Sequence, residues 1–188
     1  MIAAVVFVFN GGSDVAAREE QTIPISELAI GDRVVDRTWS WEFRTGTRYS
    51  GSGEIREVVW IVVAKNHPGY PENSVTLLAE ECIALLPFDD LSQSARNNWE
   101  YCGTPPAACG VRPFLNSLGY GCPQGTEGFY NAFSRRFKSA VLQTKLVNKT
   151  QYNEDGTGWS TDNPELEYTT LDYVFVLSET ELGGSGGD

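Results

Sequence analysis

There is one histidine, His67, in the run His67-Pro68-Gly69-Tyr70-Pro71. A Ser-His-Asp or Cys-His arrangement would have to use it, because each needs an imidazole to take the nucleophile's proton. A Pro-Gly run reads as a turn, so His67 is expected on a solvated loop and outside any triad. The acids offer a second route. Glu80 with Glu81 and Asp89 with Asp90 are adjacent pairs. Glycoside hydrolysis needs two carboxyl groups across a cleft at a fixed separation, and adjacency along the chain does not supply that. A hydrolase acting on a glycan through paired carboxylates is therefore the alternative reading, and catalysis is not expected. No glycine loop of the P-loop or dinucleotide type is present. Gly51-Ser52-Gly53 and Gly156-Thr157-Gly158 read as ordinary turns.

Metal and recognition chemistry have more to work with. Calcium takes about six to eight oxygen ligands. Asn153-Glu154-Asp155-Gly156 and Asp162-Asn163-Pro164-Glu165 place many oxygens in one polar stretch. Calcium is the one cofactor the sequence leaves open, with a solvated loop as the default. The four cysteines are Cys82, Cys102, Cys109 and Cys122. Their spacing is too irregular for a zinc site, and His67 is remote from them. An even count allows two disulfides. Cys102 and Cys109 bracket a Gly-Thr-Pro-Pro segment and make the favoured pair, which leaves Cys82 with Cys122; reduced thiols in a protected interior are the other reading. Aromatic side chains stack on sugars and anchor protein interfaces. Trp39, Trp41, Tyr49, Tyr152 and Trp159 lie in segments expected near the surface. Tyr152, Asp155, Trp159, Asp162 and Asn163 form the candidate ligand-binding set.

These residues must be held by a scaffold, and the hydrophobic pattern describes one. Asp32 to Tyr49 reads as strands. Val58-Val59-Trp60-Ile61-Val62-Val63 is a continuous apolar run rich in β-branched residues, expected to be a strand buried on both faces. Val75 to Leu86 follows as its partner. Val111, Phe114, Leu115 and Leu118 recur at helical spacing, with Pro113 tolerable in a first turn. Phe129, Phe133, Phe137 and Val141 recur every four residues, which predicts one helix or two successive helical turns, with Ser134 as a cap for the second. Leu142 to Asn148 and Thr170 to Ser178 close the pattern as strands. The apolar segment from residue 3 to 10 has no Lys or Arg before it and is short for a secretion signal, so it is read as a strand. It is expected to serve as an arm that pairs with a partner subunit, since an unpaired edge recruits another strand. The whole describes an α+β domain over 1–182, a mostly antiparallel sheet with two or three short helices. A flexible Gly/Ser tail follows over 183–188.

Charge narrows the partners. With Lys+Arg at 14 and Asp+Glu at 25, the formal net charge is -11. Such a surface repels phosphate backbones and anionic bilayers, so neither nucleic acid nor membrane insertion is expected.

Several short motifs occur in a fixed order: Val58-Val59-Trp60-Ile61-Val62, Leu77-Leu78, Trp99-Glu100, Arg112-Pro-Phe-Leu-Asn116, Phe129-Tyr-Asn-Ala-Phe-Ser134, Leu142-Gln-Thr-Lys-Leu-Val-Asn148 and Thr170-Leu-Asp-Tyr-Val-Phe-Val-Leu-Ser178. This order resembles a bacterial and phage domain family of unassigned function, over about residues 55 to 180. Phe114 stands where that pattern carries Trp, and the Cys102 to Cys109 segment is an insertion before Arg112. The family in turn resembles C-type-lectin-like domains, the fold also used by formylglycine-generating enzymes and phage adhesins. The resemblance implies a virion or cell-surface setting and brings no catalytic residues. The formylglycine-generating relatives need late cysteines, and none follows Cys122. Sugar-binding lectins carry Glu-Pro-Asn or Gln-Pro-Asp; Asn163-Pro164-Glu165 has another order. Within the resemblance Arg112, Asn116, Phe129, Phe133, Cys102 and Cys109 read as architecture. Arg112 is expected to anchor a carboxylate or carbonyls, and Asn116 to bond loop backbone. The expected function is that of a binding or structural domain. It would be a decoration, tail or fibre component of a virion, or a bacterial surface module. Its loops, chiefly 150–165 and 100–125, would recognise protein or glycan.

Overall fold

The computed structural model describes residues 5–10, 14–15, 23–44, 53–84, 111–118, 128–150, 166–178 and 181. In chain order the elements are β1 (Val5–Asn10), β2 (Asp14–Val15), β3 (Ile23–Pro24), a 3-10 turn (Ile25–Glu27), β4 (Arg33–Val35), β5 (Trp41–Arg44), β6 (Gly53–Arg56), β7 (Val59–Lys65) and β8 (Ser74–Ala79). There follow α1 (Val111–Asn116), α2 (Phe129–Ala132), α3 (Arg135–Ala140), β9 (Val141–Leu142), β10 (Thr144–Thr150), β11 (Leu166–Asp172) and β12 (Phe175–Val176). The class is α+β, with antiparallel pairing throughout the described strands.

The main sheet runs β12-β1-β8-β7-β4, and β9 also pairs with β1. This placement corrects the expectation of a partner-pairing arm. One edge of β1 is filled by β8 along Val6 to Asn10. The other is filled in two halves, by β12 at Val5 and Val6 and by β9 at Val8 and Phe9. An apolar strand at a chain end reads as a loose arm only while its neighbours are unknown. Here they come from the last strand and from the helix–strand junction, far away in sequence.

β7 and β8 form a hairpin with a register irregularity between Val62 and Ala64. Trp60 and Val62 point into the core, whereas Ile61 and Val63 are half-buried. The apolar run therefore has one fully buried face, not two. Strand β6 turns away from β7 to pair with β5.

Aromatic rings fill the space between sheet and helices. Trp60, Phe114, Phe129, Phe137 and Phe175 are fully buried. Trp39 lies 4.9 Å from Phe133 and 5.7 Å from Phe137, and Trp41 lies 4.8 Å from Phe129, edge-on. Trp39 and Trp41 are thus core residues, exposed by only 9% and 6%, which corrects their expected surface position. Alternation at 39, 41 and 43 correctly groups these rings on one face. It does not say which face meets the helices. The Trp41 indole donates to the Ile83 carbonyl at 3.0 Å, so its polar atom is satisfied in the interior.

The four-residue stripe resolves into two helices. Phe133 leaves the helical conformation, with φ -61 and ψ 143. The Ser134 hydroxyl then accepts from the Phe137 amide at 3.1 Å and donates to Asp36 at 3.0 Å. Asp36 is buried, and its second oxygen accepts from the amide and hydroxyl of Thr38. The cap therefore starts α3 and ties it to the loop after β4. Phe129, Phe133 and Phe137 still share one buried face.

Candidate functional site

The most organised polar centre joins α1 to the end of the chain. Thr170 to Ser178 is not one strand: β11 ends at Asp172 and β12 begins at Phe175, in a different sheet. The side chain of Asn116 fills the break. Its Oδ1 accepts from the Tyr173 amide at 2.8 Å and the Val174 amide at 3.0 Å. Its Nδ2 donates to the Val174 carbonyl at 2.8 Å and to Arg112 O at 3.2 Å. A carboxamide carries an acceptor and a donor a bond-angle apart, so it can replace the missing partner strand on both sides of a residue. One turn earlier on α1, Arg112 Nε donates to Asp172 Oδ1 at 2.9 Å. The Asp172 side chain has no solvent exposure and that of Arg112 only 14%. Tyr130 of α2 stacks on Tyr173 at 4.6 Å between ring centres. Burial, and then Tyr173, pushes the Tyr130 phenol above its ordinary pKa.

Gly128 brings α2 against the end of α1. Its φ is +87°, and a Cβ there would lie 2.5 Å from Ser117 Oγ and 2.8 Å from Phe114 O. Only glycine allows this approach at that backbone angle.

This centre binds its own chain. Each polar atom of Asn116 meets backbone, and the Arg112 guanidinium meets Asp172. Its chemistry is that of a clamp, which positions whatever β10 and β11 carry.

The acid pair expected near residue 80 does not converge. Glu80 meets Arg33, with Nη2 to Oε1 at 2.6 Å, while Glu81 takes both terminal nitrogens of Arg56. Hydrogen bonding and charge from Glu80 hold Arg33 above its ordinary pKa. The hydrogen bonds from Arg56 hold the Glu81 carboxyl below the usual range. Arg56 also lies over the Phe43 ring at 3.9 Å. Glu81 is thereby held towards its charged form, and Glu80 is engaged by a different arginine. A general acid needs the opposite environment.

His67 lies in the β7–β8 loop, where its ring is 4.3 Å from that of Tyr70. Cys82 is a free thiol that donates to the Ala84 carbonyl, so the pairing of Cys82 with Cys122 is not formed. Tyr49, Asp89, Asp90, Cys102, Cys109, Cys122, Tyr152, Asp155, Trp159, Asp162 and Asn163 lie outside the described residues. So do both oxygen-rich stretches considered for calcium. Among the described residues no group of three or more His, Cys, Asp or Glu is placed to hold a metal. Among them also, no helix is long and apolar enough to cross a membrane.

The hairpin β10–β11 holds what the sequence reading missed. It is a two-stranded ribbon of seven residue pairs. Its inward positions carry Thr144, Thr170 and Asp172, all buried, together with Leu146, which packs against the core. Its outward positions include Val147 and Leu171, exposed by 63% and 58%. Lys145 faces Leu171 and Val147 faces Thr169, so the two apolar side chains are diagonal neighbours on one face. Apolar side chains therefore stand on both faces, Leu146 inward and Val147 and Leu171 outward.

A family model described as a domain of unknown function (DUF6273) matches residues 73–188. The match takes in β8, the Asn116 clamp and the whole ribbon. No curated protein matches the chain, and no solved structure matches it.

Proposed function

The chain belongs to the DUF6273 family, and on that premise we propose that it is a non-enzymatic recognition or structural domain, whose clamp and aromatic core hold a ribbon and its connecting loop for contact with a partner. The observation that carries this reading is the outer face of the ribbon. Asp172 faces the interior and is held by Arg112 of the clamp, while Val147 and Leu171 face outward. Exposing two large apolar side chains side by side costs solvation that a partner would recover. The connection 151–165 continues from this ribbon and carries the candidate set Tyr152, Asp155, Trp159, Asp162 and Asn163.

The setting we propose is a virion, as a decoration, tail or fibre component, or a bacterial cell surface. The partner class is surface protein or glycan, and a C-type-lectin-like architecture is the fold reading. The order of motifs from Trp60 to Ser178 supports both. The separate arginine partners of Glu80 and Glu81 argue against the glycan-hydrolase alternative, because each neighbouring acid is engaged by a different cation.

The test is an array carrying bacterial surface glycans and solubilised envelope proteins, probed with wild type, Val147→Glu, Leu171→Glu and Trp159→Ala. The reading predicts retention by wild type and loss in the variants at unchanged thermal stability. Retention that ignores all three substitutions, or no retention on either class, overturns it.

A further inference from the structure

Charge is divided unevenly along the chain. Five of its 14 Lys and Arg (Arg135, Arg136, Lys138, Lys145 and Lys149) lie between residues 128 and 150, and none of its 25 Asp and Glu does. That stretch holds α2, α3, β9 and β10. Outside it Arg33, Arg37, Arg56 and Arg112 each meet a carboxylate. Among the described residues no carboxylate forms an ion pair with Arg135, Lys138 or Lys145. Arg135 and Lys145 are exposed and Lys138 is half-buried. Arg135 and Lys138 stand three apart on α3, so they are neighbours on one face of that helix. The Asn131 carbonyl accepts from Lys138 Nζ at 2.9 Å, and the ammonium lies 5.5 Å from the centre of the Tyr130 ring. An ammonium has three donors, so two remain after that bond. Tyr130 stacks on Tyr173 with 12° between the ring planes, and both rings are half-buried. Among the described residues no second ring lies against Tyr173. Lys145 stands in register with Leu171, two residues before Tyr173. The tyrosine pair is thus an aromatic step with Lys138 at its Tyr130 end and Lys145 at its Tyr173 end.

We propose that this step binds an acidic oligosaccharide, a short run of carboxylate-bearing sugars. Like charges at neighbouring helix positions repel, and an anion between Arg135 and Lys138 relieves that repulsion. The planar fork of Arg135 matches a carboxylate, and Lys138 adds a compact charge beside it. The apolar face of a sugar ring packs on the open face of Tyr173. Because each acidic sugar repeats the carboxylate, one short chain reaches the cations at both ends of the step. The acidic remainder of the protein does not exclude such a ligand. Charges more than about 8 Å away are screened at physiological ionic strength. A sugar chain with one charge per ring is also far sparser than a duplex, which carries one per roughly 1.7 Å. The inference rests on the recognition reading. It adds the charge of the ligand and a place beside the Val147 and Leu171 face.

The experiment is an NMR titration of the full chain at low salt with a trimer of galacturonic acid, and with its uncharged methyl ester as the control. Wild type is expected to bind the acid and not the ester, with shifts at the Tyr130 and Tyr173 ring signals. Added salt is expected to weaken that binding. Lys138→Gln and Lys145→Gln are each expected to weaken it about twofold to fivefold, the range an exposed ion pair supplies, in spectra that keep wild-type dispersion. Absent shifts at those rings, equal binding of acid and ester, or undiminished affinity in the double variant overturns the inference. The ribbon reading fails separately. A chain that binds the trimer but is not retained through Val147 and Leu171 overturns only that reading. A chain retained through them that ignores the trimer overturns only this one.

Discussion

Replacing Asn116 by alanine removes one side chain and strands three backbone groups. The Tyr173 amide, the Val174 amide and the Val174 carbonyl all bond to it. Val174 is fully buried and Tyr173 half-buried, so water can reach one of the three at best. A buried donor or acceptor left unsatisfied costs about 1–3 kcal/mol. Two such groups, with a partly rehydrated third, give about 3–5 kcal/mol. That is a large share of the roughly 5–15 kcal/mol that holds a domain folded. For a chain of this size, about 2–4 °C accompanies each kcal/mol, so Tm should fall by about 6–20 °C. Urea unfolding followed by tryptophan fluorescence would measure the loss directly. Amide exchange adds the local signature: Tyr173 and Val174 should lose protection beyond the global change seen at Trp60. Lys145→Ala, on the exposed face, serves as the comparison and should stay within about 0.5 kcal/mol. A loss below about 1 kcal/mol in Asn116→Ala would refute the claim that this amide replaces a missing strand partner.

Arg112→Met should cost about 3–5 kcal/mol in the same assay, because it removes the guanidinium from a fully buried Asp172 carboxylate. Gly128→Ala should destabilise by about 1–3 kcal/mol, from the close contacts to Ser117 and Phe114 and the positive φ; differential scanning calorimetry reads it. Glu81→Gln should remove a modest contribution, about 0.2–1 kcal/mol, since the pair with Arg56 is solvent-screened. Its pH dependence has a fixed sign. The folded carboxyl sits below its ordinary range, so the contribution is present above the unfolded value near pH 4.3 and fades as pH falls through the folded one. The Tm gap between wild type and Glu81→Gln should therefore close in acid. Alkylation of the denatured, unreduced chain followed by peptide mapping should label Cys82; a disulfide-linked Cys82 peptide would contradict the free thiol.

The sequence made the helices legible because their signals are local. Phe129, Phe133 and Phe137 mark one face whether or not the helix breaks, and Ser134 announces its cap by residue type. The break itself was hidden. Tyr173-Val174-Phe175 has the composition of a strand interior, and only the distant Asn116 amide makes a pause there cheaper than continuation. Burial of Trp39 and Trp41 was hidden for a related reason: periodicity assigns residues to a shared face, and tertiary packing decides which face is inside. The position of β1 depends on pairings with residues 74–78, 141–142 and 175–176, which no local pattern encodes. The ribbon misled by its chemistry. Burial of Asp172 becomes intelligible only once Arg112, 60 residues earlier, is seen to receive it.

The measurement that bears most directly on a recognition domain is one incubation read in two ways. Surface glycans and envelope proteins are exposed to the chain, and both retained protein and newly released reducing ends or cleavage products are quantified. Retention without product, abolished by Val147→Glu and Leu171→Glu, is the predicted result. Product that accumulates with time and disappears in Glu81→Gln would contradict it.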